Sequence, residues 1–411
     1  MRRNLKEVVK LDEKRVLALI DDDAMIKLTQ RLVQIPSENP PGEEKAVSDF
    51  IQAWLEDRGL DVEVIEAVPG RPNLIASYGS EDGPVFMLNG HTDVVPPGEG
   101  WTVDPYCGEL RDGKIYGRGS TDMKGGIAAL LHAFDAIRRS GVKLKGKLLL
   151  VINADEEAGG AAGAGYLIEN GHVAADSCLV CEPSSLMLST AEGGLLWLEL
   201  TVRGRSVHST LAPIGINAVE KMLGILNALS PIKTKLEAMV GLRGKPTVFT
   251  MNIMKGGTKV NQVPAECRAS IDVRIPPGVE VSPYDVIDDV KGVLDRMRKA
   301  DKDLRVDLSY NDPPILPFEI PPESPVIATV EQAVEAVTGA PAEYWKPKQI
   351  LPTDDSDLYH WWTKGNIPGV YIGPGAIELA HISDEYVEVD EIKKAARIYA
   401  LVALGELGWE A

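Results

Sequence analysis

The patterning of the chain changes character near residue 189 and changes back near residue 310, and this switch limits the folds open to it. Before it, strand-like runs at 62–65, 73–78, 84–89, 147–155 and 178–181 alternate with helical segments. The helices fall at 24–35 and 43–60, then on an apolar face carrying Ile127, Leu130, Leu131, Phe134 and Ile137, then in a short segment ending near Gly171. Such alternation predicts an α/β domain with a mostly parallel sheet sandwiched by helices. From 195 to 310 the order becomes strand 195–202, helix 215–229, strands 247–254 and 267–275, helix 283–298 and strand 304–310. That is a βαββαβ series of the ferredoxin-like kind. A Pro-rich stretch at 313–325 returns the chain, and helices at 324–338, 356–364 and 389–407 with a strand at 369–372 resume the first pattern. The expected organisation is therefore a larger domain in two pieces, 1–189 and 311–411, with a smaller domain inserted at 190–310.

Composition narrows the partners. The 411 residues carry a formal net charge of −18. Nucleic acid and anionic membrane both require a basic surface, so neither is expected as a partner. No run of about 18 apolar residues is present, so no transmembrane helix is expected. The N-terminal stretch lacks the apolar core of a signal peptide. The four cysteines, Cys107, Cys178, Cys181 and Cys267, include a C-x-x-C but no second pair at zinc-finger spacing. Cys178 and Cys181 read as buried thiols in a strand, and sparse cysteine predicts the cytoplasm.

The chemistry collects where strands end. The apolar run from Lys147 to Ile152 stops in Asp155, Glu156 and Glu157. Of the six histidines, His91 and His381 both follow strand-like runs in polar, Gly-containing loops, where open α/β sheets build their sites. Asp93 lies two residues past His91, on the same side of an extended chain, positioned to accept the second N–H of the imidazole. Asp122 opens a helix after a Gly-rich loop, and Glu182 ends a strand before Pro183. His132 reads as a packing residue, His172 as a helix cap or solvent residue, and His360, beside Trp361 and Trp362, is ambiguous with packing favoured. Singly, the acids read as a solvated turn, an N-cap and a turn residue. Together with His91 and His381 they match the donor set of two Zn²⁺-like ions. The residues alone leave both readings open.

Ordered blocks decide between them. These are Gly90-His91-Thr92-Asp93, Gly117-Arg118-Gly119 through Asp122-Met123-Lys124-Gly125-Gly126, Asp155-Glu156-Glu157, Cys181-Glu182-Pro183 and Gly204 to His208-Ser209. Gly256-Gly257, Asn261-Gln262-Val263-Pro264, Asp272-Val273-Arg274, Gly373-Pro374-Gly375 and His381 with Asp384-Glu385 complete the series. In this order, over nearly the whole chain, they resemble the co-catalytic metallopeptidase family of acetylornithine deacetylase, succinyl-diaminopimelate desuccinylase, aminoacylase-1 and bacterial glutamate carboxypeptidase.

The resemblance implies two divalent metal ions, Zn²⁺ first, with Co²⁺ or Mn²⁺ as alternatives. It implies Asp122 as the bridging carboxylate, His91 and Glu182 on one ion, Glu157 and His381 on the other, Glu156 as general base and Asp93 as the partner of His91. It further implies a cis peptide after Asp122, and a homodimer in which the inserted domain serves as lid and dimer contact and delivers His208 to the other subunit's site. Asn261, Arg274 and the N–H groups around Gly373 and Gly375 are implied in substrate binding. One block departs: where many members have Gly-Gly-Thr-Asp, this chain has Leu351-Pro352-Thr353-Asp354-Asp355-Ser356-Asp357, with Asp357 the better match by spacing and Asp354 the alternative. The implied activity is hydrolysis of the amide bond of an N-acyl amino acid or small peptide-like substrate, favoured by Glu rather than Asp at 182. The alternatives are a dipeptidase or carboxypeptidase, another C–N hydrolase, and a non-catalytic binding protein.

Overall fold

The computed structural model describes residues 5–311, 313–344 and 356–410. The chain divides into two compact units. One takes the described residues up to Thr190 and from Ile320 onward, and the other spans Ala191–Glu319.

The first unit is built on a six-stranded sheet in the order Val62–Val68, Arg71–Gly79, Lys147–Asn153, Val85–His91, Ser177–Val180, Gly369–Tyr371. The last four strands run parallel to one another. The first two add antiparallel at the edge. Val85–His91 and Lys147–Asn153 are buried almost end to end, as central parallel strands covered by helices must be. The helix Gly125–Ser140 is buried from Gly125 through Ile137, and Gly141, at φ 68°, ends it in the left-handed conformation that a glycine adopts without strain. It packs against the C-terminal helix Val389–Leu407.

Register carries the consequence for function. His91 stands opposite Asn153, Asn89 opposite Val180, and Val180 opposite Tyr371. The carboxyl ends of four strands are therefore level. The chain leaves them as His91–Asp93, Asp155–Glu157, Glu182 and the Gly373 turn.

The second unit is a four-stranded antiparallel sheet in the order Val248–Gly256, Glu266–Ile275, Gly194–Arg203, Arg305–Tyr310. The helices Ala218–Glu237 and Pro283–Ala300 complete the βαββαβ order. Leu196, Leu198, Leu200 and Val202 alternate inward and share a core with Met222, Ile225, Val290 and Leu294. Ser282 and Asp285 form a capping box at the second helix, with Pro283 in its first turn. The two-residue strand Phe318–Glu319 pairs with Ala191–Glu192 and closes the unit at both ends.

Several elements differ from the sequence expectations. A helix spans Leu5–Leu17, in a region to which periodicity assigned nothing. The stretch read as an irregular loop at 94–113 holds a strand, Glu109–Arg111, which pairs with Lys114–Tyr116. The helix expected at 215–229 runs over Ala218–Glu237, through Pro231. There, buried Ile232 and Leu236 continue the apolar stripe, so burial outweighs the lost hydrogen bond. Among the described residues, no helix is long and apolar enough to cross a membrane.

His132 packs as its helical face requires, 8% exposed with its ring 5.7 Å from that of Trp54. Burial, and secondarily the Arg58 charge, press its pKa down from 6.5 to about 4. The unfolded chain then binds the proton first as pH falls. The stability this neutral imidazole holds above pH 6.5 is lost between there and pH 4, by up to about 3 kcal/mol. In His132→Gln, urea midpoints at pH 7.5 and 4.5 should diverge less than in the unsubstituted protein. An equal loss in both proteins would refute this.

Candidate metal centre

The strand ends bring six of the sequence-expected side chains to one place. His91 Nε2 lies 3.2 Å from Asp122 Oδ1, 3.6 Å from Glu156 Oε2 and 3.9 Å from Glu182 Oε1. His381 Nε2 lies 3.0 Å from Glu157 Oε2 and 3.4 Å from Asp122 Oδ2. The two oxygens of Asp122 thus face different imidazoles. His91 is fully buried, whereas the side chain of His381 is half exposed at the rim.

Local backbone explains each placement. Asp122 sits in a tight turn, Ser120–Lys124, whose Asp122–Met123 peptide is cis. Glu385 holds this turn by accepting from the N–H groups of Gly119 (3.1 Å), Thr121 (2.9 Å) and Asp122 (3.2 Å) and from Arg118 (2.5 Å). Four residues before Glu385 in the same loop stands His381, with a left-handed φ of 63°. Asp155, φ 72°, turns the chain sharply so that Glu156 and Glu157 follow in a short 3₁₀ turn. Gly126 permits close packing: a Cβ there would come within 2.6 Å of the Cys181 carbonyl, beside Glu182.

Asp93 is used differently from the expectation. The nearer partner of His91 Nδ1 is the backbone carbonyl of Asp93 at 3.0 Å, and its carboxylate stands off at 3.5 Å. That carboxylate instead accepts from the N–H groups of Glu156 (3.2 Å) and Glu157 (3.0 Å) and from Asn39 (2.8 Å). It pins the acidic turn as much as it orients the imidazole.

The electrostatics are those of a buried acidic cluster. Burial pushes Glu156 and Glu182 well above the usual carboxylate range against the pull of His91, and their acidic neighbours add to the rise. Glu157 rises through burial and the proximity of Asp122. Burial also acts on Asp122, but bonds from His381 and His91 outweigh it and hold that carboxyl low. Bonds to Asp122 and Glu157 raise His381 to about 11. Both imidazoles gain protons because carboxylates surround them, and a divalent cation would feel the same field. Glu182 Oε1 is buried with no hydrogen-bond partner among the described residues. His91, Asp122 and Glu157 each offer an atom within 4.8 Å of the others, so the donor set fits a metal ion.

The remaining expected residues fall elsewhere. His208 caps the turn Ser209–Ile214 in the inserted unit, exposed, with Nδ1 2.9 Å from Thr210 Oγ1. Asn261 is beside it, accepting from the Ser209 N–H at 3.0 Å. Arg274 is at the far end of its strand from that loop, opposite Leu195 and Val248, and donates to Asp272 at 2.8 Å. The N–H groups of Gly373 and Gly375, expected as substrate donors, have partners within the chain. Gly373 N–H donates to Ser184 Oγ at 3.1 Å and Gly375 N–H to Glu391 at 2.7 Å. What Gly373 supplies is room, since a Cβ would meet the Cys181 and Glu182 carbonyls at 2.3 and 2.5 Å.

Sequence reasoning gave no role to Asn39, Arg71, Glu385 or Asn153. The Ser-Glu-Asn-Pro-Pro-Gly loop and the Asp384-Glu385 block carried signals for Asn39 and Glu385. Arg71 and Asn153 had none, because only the fold brings them near. In the departing block, Asp357 is fully buried, accepts from Asn153 at 2.9 Å and is raised by burial to about 7. Asp354 lies outside the described residues.

The model of "Peptidase family M20/M25/M40" matches residues 87–405. An acetylornithine deacetylase of Salmonella paratyphi B is 30% identical over 393 residues, spanning 92% of this chain and 96% of that protein. An M20 family metallo-carboxypeptidase from Sulfolobus solfataricus superposes with a TM-score of 0.74 at 18% identity, over 93% of this chain and 98% of the other. A tripeptidase from Staphylococcus aureus gives 0.74 at 21% identity, over 94% and 99%.

Proposed function

Because the chain belongs to peptidase family M20/M25/M40 and is a metal-dependent hydrolase of amide bonds, we propose that it cleaves an N-acyl amino acid into a carboxylic acid and a free amino acid. The hydrolytic part is carried by one observation: a buried glutamate, Glu156, stands beside a carboxylate, Asp122, whose two oxygens face two imidazoles. The acyl part is supported by the deacetylase relative at 30% identity and by Glu at position 182.

On this reading His91 and Glu182 would hold one ion, Glu157 and His381 the other, and Asp122 would serve both. Nitrogen and oxygen donors of this kind suit Zn²⁺, with Co²⁺ or Mn²⁺ as substitutes. Divalent cations held there would supply Lewis acidity for the scissile carbonyl and for the attacking water. Glu156 takes the proton from the attacking water as the water oxygen bonds to the carbonyl carbon. It then delivers the proton to the departing nitrogen as the C–N bond breaks. Burial, which raises the proton affinity of Glu156, suits a group that must both take and return a proton near neutrality.

The inserted unit serves as lid and dimer contact. Trp197, Met251, Ile253 and Met254 are exposed on its sheet, the last three on an edge strand, and such a surface favours burial against a second copy. In that homodimer the partner subunit's His208 stabilises the oxyanion, with Asn261 and Arg274 contributing to binding of the substrate carboxylate. All four cysteines are free, which supports a reducing compartment, the cytoplasm.

A panel of N-acetyl and N-succinyl amino acids and dipeptides, each with Zn²⁺, Co²⁺ and Mn²⁺, tests the reading. Turnover of acyl amino acids above dipeptides by tenfold or more in kcat/KM is expected. A preference for dipeptides would overturn the acyl assignment, and activity unchanged after metal removal would overturn the mechanism.

A further inference from the structure

The loop Ser37-Glu38-Asn39-Pro40-Pro41-Gly42 and the strand residue Arg71 have no part in the reaction as described so far, yet both reach the back of the acidic turn. Asn39 is 3% exposed. Its Nδ2 donates to Asp93 Oδ2 at 2.8 Å and to Asp155 Oδ1 at 3.3 Å. Arg71 Nη1 lies 2.7 Å from the same Asp155 oxygen, and the rest of its guanidinium is bound by buried Glu44, Nε at 3.0 Å from each carboxylate oxygen. Gly42, φ 99°, lets the loop backbone close over this arginine, since a Cβ would meet its Nε at 2.6 Å.

Two carboxylates side by side in a buried space repel each other. Here the carboxamide of Asn39 places an N–H toward each, and Arg71 neutralises Asp155 from the other side. Both carboxylates act on the turn that follows. Asp93 accepts from the N–H groups of Glu156 and Glu157, and Asp155 accepts from the N–H of Ala162 at 2.7 Å, closing the loop beyond them. We propose that Asn39 and Arg71 are positioning residues that lock Asp93 and Asp155 and thereby aim Glu156 and Glu157 at a common point. This rests on the roles given to those two glutamates above.

The geometry makes separable demands. Asn39 must present donors on two sides, which Asp in its place cannot do. Arg71 must carry charge to Asp155 and also satisfy Glu44 with two nitrogens, which Lys does only in part. The test compares Asn39→Ala, Asn39→Asp, Arg71→Met and Arg71→Lys with the unsubstituted protein. Three readouts are used: steady-state kinetics, Co²⁺ affinity by absorbance titration, and amide hydrogen exchange at Glu156 and Glu157.

Displacing a reacting group by about 1 Å costs on the order of 100-fold in rate. Outer partners of ligands are worth roughly 10–100-fold in metal affinity. Asn39→Asp and Arg71→Met should therefore lower kcat about 100-fold with KM within threefold, weaken one Co²⁺ equivalent 10-fold or more, and speed exchange at both amides. Arg71→Lys should recover part of each loss. Asn39→Ala, which removes the donors without adding charge, should fold and behave like Asn39→Asp in kind. Folded Asn39→Ala and Arg71→Met proteins with kcat, Co²⁺ affinity and amide exchange all within twofold of the parent would overturn the proposal. If the parent is inactive on every acyl amino acid tried, the functional reading has failed, and amide exchange still decides whether the two residues hold the turn.

Discussion

Replacing Glu156 with Gln is expected to lower kcat by about 10³-fold, within the range general acid–base groups contribute, while both metal equivalents stay bound. The substitution keeps the shape of the side chain and removes only its capacity to carry a proton. Its Oε2 lies 3.6 Å from His91 Nε2, a looser approach than the 3.2 Å contact His91 makes with Asp122, so the imidazole does not depend on Glu156 for its placement. Its backbone N–H is held by Asp93 independently of the side chain, so the turn should stay in place. KM should change little, because the proton moves only once the substrate is bound. The checks are steady-state kinetics and elemental analysis of the same preparation. A Gln variant that kept a tenth of the parent activity would sink the assignment of Glu156 as proton carrier. A variant that lost metal along with activity would show that Glu156 is a ligand instead.

The contrast between His91 and Arg71 shows how far the sequence leads. His91 announces itself, since it ends an apolar run and is followed by a polar loop, a pattern that open α/β sheets use for sites. Asp155-Glu156-Glu157 does the same. Their meeting depends only on parallel neighbours being in register, and the alternation of strands and helices already implies that order. The two-unit architecture is readable for a similar reason, because βαββαβ patterning differs in period and spacing from the segments around it. Arg71 opens an antiparallel strand 84 positions before Asp155, and nothing local says that it turns inward. Asn39 precedes a proline pair and reads as a turn residue until the fold sets it against two carboxylates. Gly373 and Gly375 are harder to read in another way. Glycine signals close approach, but only the fold tells which group approaches, and here Gly373 faces the Glu182 strand end while Gly375 faces the Thr121 side chain.

Asp122→Ala is the substitution with the widest expected reach, because this side chain is shared. One oxygen meets His91 and the other His381, so its loss removes a partner from both halves of the centre at once. Glu157 and Glu182 would ionise more readily without the Asp122 charge beside them, but no carboxylate would remain between the two imidazoles. The stoichiometry of bound metal should therefore fall below two per chain. Lewis-acid assistance is worth several kcal/mol at the transition state, so the rate should fall by roughly 10³-fold or more. Chelation of the parent protein should have the same kinetic effect. It should also cost the stability that binding confers, about 2.7 kcal/mol at a free metal concentration 100 times the dissociation constant. Restored Zn²⁺ should return both the rate and the melting temperature of the parent but neither in Asp122→Ala. Glu385 offers an internal control. It holds the Asp122 turn through three backbone N–H groups without reaching the imidazoles, so Glu385→Gln should weaken metal binding less than Asp122→Ala does. Melting curves with and without chelator, on parent and variant alike, decide the matter. If chelated parent melts and turns over as before, no metal is held between these imidazoles. If Asp122→Ala still binds two equivalents with the parent's affinity, the bridging role fails and each ion must be held by its own imidazole and glutamate alone.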